Sequence, residues 1–256
     1  MLEPVQDPAS AEAVTQPPPP PQATAASRRL TAALEVVAAS GLPTQFALGA
    51  LLIGIGVAPF GAGGRLSMTY VTALLTADTA ALVALIVWRL RAGGERARTL
   101  MLGTARWTRE AALGVALTPV LFGGVAALIA ALRWAWPGLH NVEANPFETL
   151  AHSPMNAAVL MVLVVVSGGL KEEFQRAFVL HRFEQSLGGA RVGLVLYSAV
   201  FGAGHMIQGY DVGITTMLMG AAWGVVFLWR RSIVAPAVCH AGFNAAQIVQ
   251  FVVSGV

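Results

Sequence analysis

Three groups of polar residues lie inside otherwise apolar sequence. "KEEFQR" at 171–176 places Lys171, Glu172, Glu173 and Arg176 directly after the run "MNAAVLMVLVVVS". "FGAGH" puts Phe201 and His205 one helical turn apart, and "HAGFN" does the same for His240 and Asn244. Carboxylates, two imidazoles and an amide are the groups a hydrolytic site needs. A glutamate and a histidine can orient a water and take its proton, while imidazole and amide N–H groups can stabilise an oxyanion. The alternative for the first group alone is that 171–176 marks the exit of a helix into water.

The charges constrain their own surroundings. Facing lipid together at the bilayer centre, the four ionisable groups of 171–176 would cost on the order of 10 kcal/mol. They must therefore face protein or water, or pair with one another. On an ideal helix Glu172 and Arg176 stand i, i+4 and form the ion pair. Glu173, rotated about 100° around the axis, then becomes the alternative base, so both glutamates stay candidates.

The elements that must position these residues are membrane helices. The chain of 256 residues is 56% hydrophobic and only 11% charged, against roughly 25% charged in soluble domains. Its basic residues lie between apolar runs, so the excess of positive charge reads as a topology signal and not as a nucleic-acid surface. About 20 apolar residues span a bilayer. That criterion predicts an all-α, polytopic membrane helix bundle with about seven transmembrane helices, at roughly 43–62, 67–88, 111–132, 155–180, 191–209, 213–229 and 233–253. Residues 28–40 read as a short amphipathic surface helix or as the start of an eighth element.

With the N-terminus in the cytoplasm, Arg28, Arg29, Arg89, Arg91, Arg96, Arg98, Arg106, Arg109, Arg182, Arg191, Arg230 and Arg231 fall on the inner side, and only Arg65 and Arg133 on the outer. This is the positive-inside pattern. From the inner anchors Arg182, Arg191 and Arg231, residues Glu172, His205 and His240 lie roughly 15, 21 and 14 Å into a core about 30 Å thick. The three stations share a depth, and the opening charges read as part of a buried site. Residues 1–27 form a Pro-rich tail expected to be disordered and are not a signal peptide; 28–256 are the membrane domain. A single lysine among many arginines, with abundant Ala and Gly, points to a bacterial host and its inner membrane.

"EEFQR", "FGAGH" and "HAGFN", in that order and on successive spans, resemble the CAAX protease and bacteriocin-processing (CPBP, or Abi) family of intramembrane endopeptidases. "RAFVLHRFE" is similar to the family's usual continuation, and the resemblance covers about 155–250. The family's first motif is usually EExxxR, whereas this chain has EExxR; aligned on the arginine, Lys171 would take the first glutamate's place. The resemblance implies hydrolysis of a peptide or membrane-protein substrate, with Glu172 or Glu173 and His205 activating water, His240 and Asn244 binding the oxyanion, and Arg176 and Phe201 in support. A zinc ion held by Glu172, His205 and His240, three ligands with an open position for water, is the competing version. There is no HExxH helix. The alternative function is a non-catalytic membrane adaptor or bacteriocin-immunity protein that keeps the protease fold, and a third is a small transporter using Glu and His as a proton relay.

The remaining polar residues have plainer readings. Asp78 in the second span is expected to be a buried hydrogen-bonding or cavity residue, and Cys239 a small packing residue. His140, His152 and His181 sit at loops or helix ends and are expected to be solvated. "GAAWG" at 220–224 suits close helix packing.

Overall fold

The computed structural model describes residues 24–254, apart from 144 and 146. Among the described residues the chain is helical throughout, with one isolated bridge between Phe60 and Leu66 and no strand. Ten helices follow in order: α1 (Ala25–Ala39), α2 (Leu42–Gly54), α3 (Met68–Ala92), α4 (Ala97–Leu102), α5 (Trp107–Ala135), α6 (Pro154–Leu163), α7 (Glu172–Ser186), α8 (Ala190–Gly204), α9 (Tyr210–Arg230) and α10 (Val234–Ser254). A π-helical segment, Val164–Lys171, joins α6 to α7, so that Pro154–Ser186 runs as a single helical rod.

Local chemistry sets the breaks. Ser67 and Ser153 cap α3 and α6, each accepting a backbone N–H from the first turn, and Pro154 occupies the first helical position of α6, where no donor is lost. Gly41, at φ 84°, lets α1 turn into α2, a left-handed conformation that side chains rarely adopt.

Among the described residues five helical spans are long and apolar enough to cross a membrane: Met68–Ala92, Trp107–Ala135, Pro154–Ser186, Ala190–Gln208 and Tyr210–Arg230. A sixth arises if α1 and α2, bent by 43°, count as one broken span. This corrects the expected seven or eight in two places. The supposed surface helix starts at Ala25, inside the expected tail, and forms the first half of the broken span; the rest of the tail, 1–23, lies outside the described residues. Helix α10 occupies the expected last position, but His240, Asn244, Gln247 and Gln250 dilute its apolar character.

Large apolar side chains such as Phe46, Ile55, Val120, Val195, Trp229 and Val253 are exposed around the bundle, a surface that belongs in lipid. The protein is an integral membrane protein. Inside the bundle, α10 packs against α5 and the π-segment, and α8 packs against α9. One end is tied by a charged cluster. Glu35 of α1 binds Arg89 of α3 and Arg182 of α7, and Glu95 binds Arg182 and His181.

Candidate active site

A cavity of about 750 Å³ opens between the π-segment, α5, α8, α9 and α10. Its wall holds Ser167, Gly168, Glu172, Phe201, His205, Trp223, His240, Asn244 and Gln247, with apolar side chains from α5 and α6 opposite. Four of the five residues expected to be catalytic, from three separate helical rods, therefore reach one space. Glu173 stands behind this wall, only 1% exposed.

The π-segment decides which way the glutamates face. The backbone N–H of Glu172 donates to the carbonyl of Ser167, five residues back, which gives the rod one residue more per turn than an α-helix. Glu172 then points into the cavity with its side chain 21% exposed. Arg176 pairs with Glu173, three residues back, and not with Glu172 as an ideal helix would have it. Arg176 is itself buried among the rings of Tyr197, Phe201 and Trp223, its guanidinium carbon 5.7, 5.0 and 5.6 Å from their centroids. A cation over three aromatic faces is electrostatically favoured, and the short EExxR spacing is accommodated by the i, i+3 pair.

His240 is fixed on two sides. Its ring stacks on Trp223, 3.7 Å between centroids and 15° between planes. Its Nδ1 lies 2.9 Å from Oε1 of Glu173. A carboxylate accepts there, so Nδ1 carries a proton and Nε2 turns to the cavity, 3.8 Å from Oε2 of Glu172. His205 caps the end of α8 and places Nδ1 2.8 Å from the carbonyl of Phe201. A carbonyl can only accept, so His205 is protonated at Nδ1, and Nε2 keeps its lone pair in the neutral ring. Asn244 donates one amide hydrogen to the carbonyl of Val164, at 3.2 Å, and retains a second.

Close approach of α10 depends on two glycines. A Cβ on Gly168 would lie 2.4 Å from Nδ2 of Asn244, and one on Gly169 would lie 2.6 Å from Cβ of Ala241. With only hydrogen at Gly169 the backbone of α10 comes close enough for His240 to reach the glutamates, and with only hydrogen at Gly168 the amide of Asn244 keeps its place. Sequence reasoning did not single out Gly168, Gly169, Ser167, Trp223 or Gln247. The double glycine ahead of the charged run was the available signal for the first two, since small residues mark close helix contact in membranes.

Among the described residues no three His, Cys, Asp or Glu side chains are grouped as ligands of one ion. Cys239 is buried and accepts a hydrogen bond from Nε1 of Trp223 at 3.5 Å, a packing role. Two histidines read as solvated are instead engaged. His140 lines the cavity with its Nδ1 3.2 Å from Asp211, and His181 binds Glu95.

Residues 154–246 match the family model described as type II CAAX prenyl endopeptidase Rce1-like. This part of the chain is similar to that family. The Rce1-like stretch runs from the start of α6 into α10 and contains Glu172, Glu173, Arg176, Phe201, His205, His240 and Asn244, in agreement with the motif resemblance; α1 to α5 lie outside it. No curated protein and no solved structure matches the chain.

Proposed function

We propose that the protein is an intramembrane endopeptidase that hydrolyses a peptide bond of a membrane-associated protein or peptide without a metal ion. One observation carries the reading: Glu172, His205, His240 and Asn244 face a single cavity large enough for a stretch of peptide. The Rce1-like match supports the same class of activity.

In this reading Glu172 and Nε2 of His205 hold a water and remove its proton as the oxygen adds to the scissile carbonyl carbon. The free amide hydrogen of Asn244 donates to the oxyanion that forms. Glu172 passes the proton it took from the water to Nε2 of His240, which lies 3.8 Å from its carboxylate. The charged His240 donates to the oxyanion and then releases that proton to the departing amine, which leaves Glu172 free to act again. Glu173 keeps the tautomer and direction of His240, and Arg176 balances the charge of Glu173. Glu172, with its cavity exposure, is the base; Glu173 is a positioning residue. Zinc has no part in these steps.

The natural substrate need not be prenylated, because a bacterial host, suggested by composition alone, does not require it. With the N-terminus in the cytoplasm, as the arginine distribution supports, the site lies about halfway through the inner membrane. The test is cleavage of a fluorogenic peptide library by the purified protein in detergent. Wild type is expected to cleave, with and without a chelator, and His205→Ala to be inactive while folded. Equal cleavage by both would refute the assignment. Partner binding untouched by His205→Ala, with no cleavage by wild type, would leave the adaptor reading in its place.

A further inference from the structure

We propose that Asp78, on α3 and outside the Rce1-like stretch, is a positioning residue for Glu172, acting through Lys171. The proposal rests on the endopeptidase reading for its kinetic consequence but not for its structural one.

Asp78 is fully buried and Lys171 is 3% exposed. Nζ of Lys171 donates to Oδ2 of Asp78 at 3.1 Å. Thr44 of α2 donates its hydroxyl to Oδ1 at 2.7 Å, and Gln45 its amide to Oδ2 at 3.4 Å. One turn further along the rod, Gln175 donates to the carbonyl of Ala39, at the end of α1. Lys171, at the end of the π-segment, and Gln175 of α7 stand i, i+4 on one face of the rod. Both are gripped by the α1–α3 unit.

Lys171 is also the last residue of the π-segment and the immediate predecessor of Glu172. A π-segment is the rarer geometry, and its relaxation to an α-helix turns everything beyond it by about one residue, or 100°. Such a turn would carry Glu172 away from the cavity. With Lys171 and Gln175 anchored at one azimuth, Glu172 is held toward the cavity and Glu173 toward Arg176 and His240. The first three helices thereby acquire a task in catalysis without contributing a group to the cavity's reacting edge.

A pair that merely stabilised the bundle would be replaceable, because apolar residues of similar volume can stand in for a buried ion pair at no cost in stability. The test uses Asp78→Leu/Lys171→Met, which removes both charges together. Its kcat should fall at least about tenfold, with KM within about twofold and a melting temperature near that of wild type. A second readout needs no enzymatic activity. In a Cys239→Ala background, a thiol from Glu172→Cys should react with a water-soluble methanethiosulfonate about tenfold more slowly once the double substitution is added, because access sets the rate. Asp78→Asn/Lys171→Gln keeps a neutral hydrogen-bonded link and should restore both readouts. Should the apolar pair fail to fold, the neutral pair still decides, since its loss of kcat or labelling would overturn the proposal. So would wild-type kcat and labelling in the apolar pair. If wild type cleaves no peptide, the endopeptidase reading fails, and labelling alone tests the clamp.

Discussion

Adjacent glutamates in one helix have opposite environments here, and this difference is the sharpest feature of the site. Glu172 borders the cavity, whereas Glu173 is enclosed by Arg176 and His240. Substitution should separate them. Glu172→Gln is expected to lower kcat by about 10²–10⁴-fold, the usual worth of a general base, with little change in melting temperature. Glu173→Gln leaves Arg176 as an uncompensated buried charge and should destabilise the protein by about 3–5 kcal/mol. Thermal melts in detergent beside initial rates would show the two patterns. The identity of these residues was legible in the sequence, because ionisable groups within apolar runs must converge on something. Their division of labour was not. An all-round apolar run such as "VLMVLVVVS" carries no phase, so nothing in it marks the π-segment that turns Glu172 to the cavity, and on the helix beyond it Arg176 can reach either glutamate, at i, i+3 or i, i+4.

At the scale of elements, the contact between the π-segment and α10 sets the distance between acid and histidine. Gly168 and Gly169 make that contact possible. Gly168→Ala should therefore cost about 1–3 kcal/mol through overpacking. It should also reduce kcat, because the new methyl group displaces Asn244. Activity and melting temperature measured on the same preparation would check both. Most helices stand where their apolar runs place them, as α3, α5 and α9 do. The span count fell short of expectation for physical reasons. Helices α1 and α2 are each too short to cross alone and bend at Gly41, and α10 gives up hydropathy to carry site residues. The partners of His140 and His181, Asp211 and Glu95, are 71 and 86 residues away in the chain, so no local pattern announces them.

At the scale of the whole molecule, the stretch that matches the Rce1-like model, 154–246, carries the candidate site residues, and the first helices brace it from two directions. One is the buried contact of Asp78 with Lys171. The other is the charged cluster of Glu35, Arg89, Glu95, His181 and Arg182 at the end of the bundle. Burial raises the affinity of Glu95 for its proton, but hydrogen bonds from His181 and Arg182 outweigh it and hold the carboxyl below its usual value of 4.5. A carboxylate whose pKa is lowered on folding contributes stability above its unfolded pKa and loses it as pH falls through the folded one. Glu95→Gln should accordingly melt below wild type near neutral pH, with the gap closing once the medium is more acidic than about pH 4. A gap that stayed constant across that range would assign the effect to packing.

The measurement that bears most directly on the central claim is mass spectrometry of a peptide library incubated with the purified protein in ¹⁸O-labelled water. Wild type should generate new C-termini carrying one heavy oxygen, and Glu172→Gln should generate almost none. Folded wild-type protein that leaves every peptide intact, or equal label incorporation by the two proteins, would contradict it.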